Sequence, residues 1–382
     1  MYLLNELIFL SPLAVYVCFG VRRLIARGFF KNVFTVFFVF LVLGFPLAET
    51  LSHRSAGGWT KYLMIAGYYS LPLLLYLVLV VILSDLVIGF LRLVKIVAKE
   101  TVRSPRFRAI RLYAYLAVPV MVVILGVLNY HYLRVRTYSI EVPRKSSELR
   151  QLKIAFAADF HIGALTGGRF LERLVGKIND LQPDVVLIGG DVLEGDRRDE
   201  KTDAYEAQFR QIKSRYGVYA APGNHEMHGE YRRDFFDRSG IKLLQDAVEK
   251  IDGAFYLVGR NDNHSGRRKS LDELLRDTPD DLPVILMDHR PTDLENVSTG
   301  YVDIQLSGHT HHGQLFPINF ITSHIYELSW GYLKKRQAHF FVTSGVQLWG
   351  PPVRTAGASE ILLIDVTFQD KRKESSHEQG DQ

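Results

Sequence analysis

The chain has 382 residues, 47% of them apolar and 23% charged, which suggests two or three domains with ample material for a core. The formal net charge of +5 comes largely from Lys and Arg flanking apolar runs, so no nucleic-acid partner is expected; the short Arg267-Arg268-Lys269 run reads as a solvated loop. The single cysteine, Cys18, excludes an intrachain disulfide framework and reads as a small packing residue in a helix.

Residues 1–133 form the first region. Four segments are apolar enough to cross a bilayer, which takes about 20 residues. They are Leu3 to Val21, Val33 to Ala48, Tyr62 to Leu83 and Leu112 to Tyr130. A cleaved signal peptide fits poorly, because the start lacks a basic region, no small-residue cleavage site follows, and further spans come after. Glu49 and Asp85 lie near span ends and read as interfacial caps, with no buried charge pair expected among the spans. From Asp85 to Arg111 a basic amphipathic stretch is expected to lie along lipid headgroups. Lys and Arg are more numerous after the first and third spans (22–31 and 92–111) than after the second and fourth (54–61 and 134–150). That bias predicts an integral protein of the cell membrane with its large domain outside the cytoplasm.

A hydrophilic linker is expected at 134–152 and a folded domain at 153–368. Strands and helices first alternate: strand Lys153 to Ala158, helix Gly168 to Leu181, strand Asp184 to Ile188, helix Asp203 to Ser214, strand Gly217 to Ala221, helix Tyr231 to Ser239. Strands then follow without long helices: Ala254 to Gly259, Val284 to Met287, Asp303 to Ser307, Phe340 to Ser344 and Ser359 to Phe368. The pattern predicts two sheets face to face with helices outside, an α/β sandwich. The polar tail, 369–382, is expected to be disordered.

Five short blocks follow the apolar runs: Asp159-Phe160-His161, Gly189-Gly190-Asp191, Gly223-Asn224-His225-Glu226, Asp288-His289-Arg290 and Gly308-His309-Thr310-His311. Strand ends in open α/β sheets are where ligand sites form. Carboxylate, amide and imidazole donors gathered at one edge suit a pair of hard or borderline divalent ions, such as Mn, Fe or Zn. Asp159 and His161 are two residues apart and reach one side of an extended chain. Asp191 is the candidate bridge between two ions. Asn224 offers an amide oxygen, His225 a proton for a leaving alkoxide or a positive charge for phosphoryl oxygens. Glu226 is expected to orient His225, and Asp288 or a carbonyl to fix the tautomer of a ligand histidine. His312 is expected to face away. Without cations Asp159 and Asp191 would repel each other, and neutral histidine ligands make occupancy fall in acid.

In order and spacing these blocks resemble the calcineurin-like metallophosphoesterase superfamily, whose pattern is D-x-H, G-D, G-N-H-[DE], H and G-H-x-H. The resemblance implies a four-layer α/β/β/α sandwich with a dinuclear centre. It implies Asp159, His161, Asp191 and His311 around one ion, and Asp191, Asn224, His289 and His309 around the other. It further implies His225 at the phosphoryl group and a metal-bridging hydroxide as nucleophile. Gly313-Gln314, Gly350-Pro351-Pro352-Val353-Arg354 and Glu360-Ile361 look like the bacterial YkuE/YaeI-type membrane-associated phosphodiesterases. That branch usually has one anchor or a signal where this chain has a multi-span region, and a glycine where it has His312. Arg354 is a candidate for binding a substrate anion, with a structural ion pair as the equal alternative. The resulting expectation is a membrane-anchored phosphodiesterase whose partners are membrane lipids and a phosphoester, probed first on lipid-linked phosphodiesters or pyrophosphates. Its rivals are a UDP-2,3-diacylglucosamine pyrophosphatase of lipid A synthesis and a non-catalytic membrane scaffold or sensor.

Overall fold

The computed structural model describes residues 2–52, 59–163, 166–194, 201–227 and 232–370, with side chains at 2–11, 51–52, 227 and 232–233 outside the description. It divides into a helical unit, Met1–Tyr132 with Leu348–Thr355, and a second unit, Leu133–Gln347 with Ala356–Gln382.

The helical unit holds α1 (Tyr2–Arg22), α2 (Gly28–Ser52), α3 (Trp59–Leu93), the short α4 (Lys99–Arg103) and α5 (Pro105–His131). Among the described residues three helices are long and apolar enough to cross a membrane: Gly28–Thr50, Trp59–Leu93 and Pro105–His131. The first expected span, Leu3 to Val21, falls within α1, but the apolar stretch described there is only Pro12–Arg22. The third span runs on without a break to Leu93 rather than stopping at Leu83. Ser104 begins α5 by accepting a hydrogen bond from the Phe107 amide, with Pro105 at the first helical position. The Asp85–Arg111 stretch is therefore helix end, turn, one short helix and a new helix start.

Two features hold these helices together. A side chain at Gly67 would collide with the Gly44 carbonyl oxygen, so α2 and α3 meet through small residues, the usual solution where burial of oil against oil drives nothing. Asp85 of α3 forms an ion pair with Arg111 of α5 and accepts a hydrogen bond from Tyr16 of α1 at 2.6 Å. Asp85 is thus a tie between helices, contrary to its reading as a lone cap.

The second unit opens with β1 (Arg134–Pro143), where a linker was expected. Its inward positions Tyr138, Ile140 and Val142 join the central core at a period of two, while Thr137, Ser139 and Glu141 on the other face, with Arg134 and Arg136 at the strand's start, kept the segment hydrophilic on average. The remaining elements are β2 (Gln151–Ala157), α6 (Gly168–Asp180), β3 (Val185–Ile188), α7 (Thr202–Phe209), β4 (Val218–Ala220), α8 (Arg232–Arg238), β5 (Lys242–Leu243), β6 (Ala247–Ile251) and β7 (Phe255–Gly259). Then come α9 (Leu271–Leu275), β8 (Val284–Met287), α10 (Leu294–Thr299), β9 (Ile304–Ser307), α11 (Ile318–Ile325), β10 (Gly331–Lys335), β11 (Ala338–Val342) and β12 (Glu360–Gln369). The predicted tail loses Gln369 to β12, where it pairs with Pro143; residues 371–382 lie outside the described residues.

Two six-stranded sheets result, ordered β1-β12-β2-β3-β4-β5 and β10-β11-β9-β8-β7-β6. Alternation along β2 shows how they layer. Ile154 and Phe156 enter a core shared with Leu257, Ile285 and Leu306 of the other sheet. Ala155 and Ala157 face Leu171, Leu174, Val175 and Ile178 of α6, which recur at helical spacing. On the far side Val258, Val284 and Phe340 pack under Leu274 of α9 and Val297 of α10. The two sheets thus lie face to face between helices.

Candidate metal centre

All five blocks emerge from neighbouring central strands. Asp159 and His161 follow β2, Asp191 follows β3 and Asn224 follows β4; His289 follows β8, and His309 and His311 follow β9. The loops interlock through the backbone. The Asp159 amide donates to the Gly190 carbonyl at 3.0 Å, and the His161 amide to that of Asp191 at 3.0 Å. Across the two sheets, the His309 amide donates to the Asp159 carboxylate at 3.1 Å.

Turning off the strands so abruptly has a backbone cost. Asp159, His161, Asp191, His309 and His311 all have positive φ, between 41° and 69°. Left-handed backbone is uncommon for residues with a Cβ, and its clustering at one place marks a site that the surrounding fold enforces. Gly190 (φ 93°) is where only glycine fits, since a Cβ there would sit 2.8 Å from His289 Nδ1.

The donors converge. Asp159, His161 and His311 bring one ligand atom each within 4.8 Å of one another, and so do Asp191, His289 and His309; a third such group joins His161, Asp191 and His225. Asp159 is fully buried, Asp191 is 2% exposed and His289 is fully buried. His289 Nδ1 donates to the Gly189 carbonyl at 2.7 Å, which turns Nε2 toward Asp191 Oδ2, 3.1 Å away. His161 Nδ1 is held by Glu194 Oε2 at 2.7 Å, which turns its Nε2 toward His311 Nε2, 3.2 Å away. Imidazoles tied at one nitrogen and open at the other are the form in which histidine binds metal. Asn224 Oδ1 and His289 Nε2 are buried with no hydrogen-bond donor, a condition native proteins rarely tolerate without an ion or water. The residues therefore fit a pair of closely spaced cations.

The electrostatics agree. Burial pushes the Asp159 carboxyl up to about 6, with the Asp191 charge adding to it. Burial opposes ionisation of Asp191 too, but His289 beside it, closer than to Asp159, holds it well below the usual carboxylate range. Burial would lower His289, yet Asp191 outweighs it and pushes the ring up to about 10. Burial, with His289 and Arg290 nearby, takes His309 down to about 3. A pocket that raises one carboxyl and one imidazole while depressing their partners is one short of positive charge.

The structure also reassigns several side chains. Glu226 does not orient His225. Its carboxylate accepts the backbone amides of Asp191 (2.8 Å), Val192 (2.7 Å), Leu193 (3.1 Å) and Gly223 (2.7 Å), and so braces the Gly-Gly-Asp turn. The orienting carboxylate is Glu194, which lies 3.3 Å from His225 Nδ1 as well as on His161. Its only sequence signal is an acid three residues past Asp191, on a loop with no motif of its own. Of the two groups expected to fix a ligand tautomer, a carbonyl does so, that of Gly189 on His289 Nδ1, and not Asp288. It is paired with Arg260 at 3.2 Å and with Arg268, whose Nη1 lies 2.9 Å from Asp288 Oδ1. Arg268 is therefore drawn inward from the run read as a solvated loop. His312 stacks on Trp330 with ring centroids 4.6 Å apart, away from the three donor groups. Arg354 is fully buried and grouped with the helices, its amide on the Gly126 carbonyl at 3.1 Å and its carbonyl on Asn129 Nδ2 at 3.0 Å. That burial disfavours it as an open anion binder.

Residues 152–313 match the family model described as calcineurin-like phosphoesterase. An uncharacterized metallophosphoesterase of Helicobacter pylori is 32% identical over 227 residues, covering 56% of this chain and 60% of that protein. A transmembrane protein with metallophosphoesterase domain from Bos taurus is 26% identical over 380 residues, 93% of this chain and 82% of its own length. The uncharacterized metallophosphoesterase YkuE of Bacillus subtilis is 25% identical over 224 residues, 56% of this chain and 78% of that protein. The chain spans 60% of the length of the Helicobacter relative, so the alignment there is to a part of each protein.

Proposed function

We propose that the chain is a calcineurin-like metallophosphoesterase and, on that footing, a membrane-anchored, metal-dependent phosphodiesterase acting on a lipid-linked phosphodiester or pyrophosphate. The observation that carries the reading is the pair of donor groups meeting at Asp159 and Asp191, with Asn224 Oδ1 and His289 Nε2 buried beside them without donors. Asp159, His161, Asp191 and His311 would hold one divalent ion, and Asp191, Asn224, His289 and His309 the other; their oxygen and imidazole donors suit Mn, Fe or Zn. When bound, such a pair supplies a polarised phosphoryl group and a water of lowered pKa.

The protein's own groups do the rest. Glu194 fixes the His225 ring through Nδ1. Burial works against its charge, but Glu194 and Asp191 push it up to about 9, which favours the protonated ring. That proton is available to a leaving alkoxide, and the charge to a phosphoryl oxygen. Glu226 keeps the Asp191 turn in shape from behind. Three helices long and apolar enough to cross a membrane support a membrane-anchored domain, which favours an amphiphilic substrate. The Lys and Arg bias further favours the sandwich outside the cytoplasm; maleimide labelling of an engineered cysteine at 370 in intact cells supports that side, and labelling only after lysis reverses it and favours a UDP-linked cytoplasmic substrate.

The test is hydrolysis of bis-p-nitrophenyl phosphate by the purified full chain with Mn²⁺. Activity lost to a chelator and restored by the ion supports the proposal. Activity indifferent to both, or no turnover with the metal bound, moves the reading to a scaffold that kept the fold.

A further inference from the structure

The helix α11 leads out of the Gly308-His309-Thr310-His311 block and has no buried residue. Phe320, Ile321 and Ile325 are 63%, 59% and 66% exposed, and Phe316, just before the helix, is 49% exposed. The helix is nonetheless held firmly. The Ile318 amide donates to the Leu315 carbonyl at 2.7 Å, and Thr310 Oγ1 donates to the Ser329 carbonyl at 2.6 Å. Tyr326, which caps it, lies edge-on to His309 with ring centroids 6.3 Å apart. An ordered amphipathic helix thus stands at the mouth of the candidate metal centre with its apolar side uncovered. Soluble surfaces rarely leave such a patch without a partner.

The connectivity says what covers it. Only Tyr132 and Leu133 separate α5, a candidate span, from β1. β1 starts at the metal-site end of the sandwich. The Arg134 amide donates to the Ser359 carbonyl at 2.8 Å, the Glu360 amide to that of Gly345 at 3.2 Å, and Gly345 lies against Asp159. The buried Glu360 carboxylate in turn accepts the Trp330 indole N–H at 2.7 Å, a few residues past α11. A second crossing occurs at the same end. Gln347 donates its amide to the Asp159 carbonyl at 3.0 Å and Ala356 to that of Gln314 at 3.0 Å, and the residues between, Leu348–Thr355, are grouped with the helices. Among the described residues, both passages of the chain between the sandwich and the helical unit leave the sandwich at the strand ends that carry the candidate metal ligands.

We propose that α11, with Phe316, inserts its apolar side into the lipid headgroup boundary, so that the metal centre opens onto the bilayer surface that carries the chain. An amphiphile would then reach the metals by lateral movement, its phosphate at the level of the His309 loop and its chains still in lipid. The apolar side is short, a matter of four side chains, so it docks a domain already tethered rather than recruiting one from solution.

The experiment uses the full chain with Cys18→Ser, reconstituted in phosphatidylcholine vesicles. Single cysteines introduced by Phe320→Cys, Ile325→Cys and, as the reference at the opposite end of the sandwich, Asp180→Cys carry an environment-sensitive fluorophore. The expected result is a blue shift and about twofold quenching by brominated acyl chains at 320 and 325, since an interfacial helix sits about 5–10 Å into the headgroup boundary, with no change at 180. Adding Ile321→Glu to the Phe320→Cys protein should reverse the quenching. Absence of lipid quenching at 320 and 325 overturns the proposal. If disulfide cross-linking between copies at 320 appears in its place, the face belongs to a second copy of the chain. No step depends on hydrolysis, so failure here leaves the phosphoesterase reading intact, and an inactive protein does not prevent the measurement.

Discussion

In the helical unit Asp85, Arg111 and Tyr16 satisfy one another across α3, α5 and α1, whereas in the sandwich Asn224 Oδ1 and His289 Nε2 lie buried with no donor. The helices meet at glycines, Gly44 and Gly67, with ordinary helical backbone; the strand-end loops of the sandwich hold five candidate ligands at positive φ. The polar trio of the helices is paired within itself, whereas these two atoms of the sandwich are unpaired. The difference separates an anchor, whose polar groups serve packing, from a site, whose polar groups are kept apart for a ligand.

The contrast predicts unequal responses to substitution. Asp191→Ala removes a carboxylate common to two of the donor groups, so turnover of bis-p-nitrophenyl phosphate should fall by about 10³-fold or more, with bound metal lost by elemental analysis. A change under tenfold would contradict a shared role for Asp191. Glu226→Ala strips the acceptor from the amides of Asp191, Val192, Leu193 and Gly223, each orphan costing about 1–3 kcal/mol, so the sandwich should lose several kcal/mol and much of its soluble yield. Glu226→Gln, which keeps one acceptor oxygen, should recover part of that loss in thermal unfolding. In the anchor the effects are smaller. Gly67→Ala forces α2 from α3 and should cost about 1–3 kcal/mol by overpacking, read as a lower unfolding temperature in detergent with the metal content unchanged. Asp85→Asn should matter least, about 1 kcal/mol or below, because the pair is partly exposed.

Acid offers a separate measurement on the sandwich away from the metals. His339 of β11 is buried, accepts from the Tyr332 hydroxyl at 2.9 Å and donates to the Glu141 carbonyl at 3.1 Å, a neutral ring with both nitrogens occupied. Burial, with Lys334 beside it, takes the ring down to about 4. Its folded pKa lies below the ordinary value near 6.5, so its contribution is complete above about 6.5 and is lost as pH falls through about 4. His339→Gln should flatten the fall of unfolding temperature between those limits; an identical slope in both proteins would remove His339 as a cause.

Much of the site was legible in the residues because each block follows an apolar run that ends in a turn. Val185 to Ile188 before Gly189-Gly190-Asp191, and Ile304 to Ser307 before Gly308, are fully buried strands, and such runs read plainly. β1 was hidden because only Tyr138, Ile140 and Val142 face the core, the alternating residues are mostly polar and the strand starts on Arg134 and Arg136. Glu194 was hidden because an isolated acid on a loop has no periodicity, and its partners, His161 and His225, are distant along the chain. The role of Glu226 was misread for a related reason. Adjacency to His225 suggested a bond to it, but a side chain at the start of a short 3₁₀ turn points back at the preceding loop amides. Glu360 sits in a polar apolar-flanked run whose importance appears only when Trp330, Thr343 and Ser344 are brought to it.

The order of strands in the first sheet has a consequence for how the protein is made. β12 lies between β1 and β2, parallel to the one and antiparallel to the other. During synthesis the strand that follows the last membrane helix therefore waits, unpaired, until Glu360–Gln369 has been translated. At about 5–20 residues per second that interval is on the order of tens of seconds, long enough for the helices to settle in the bilayer first. A ribosome halted before residue 360 would leave two open edges, at β1 and β2, beside a finished membrane anchor, and the nascent sandwich would be exposed to pairing with whatever strand it met.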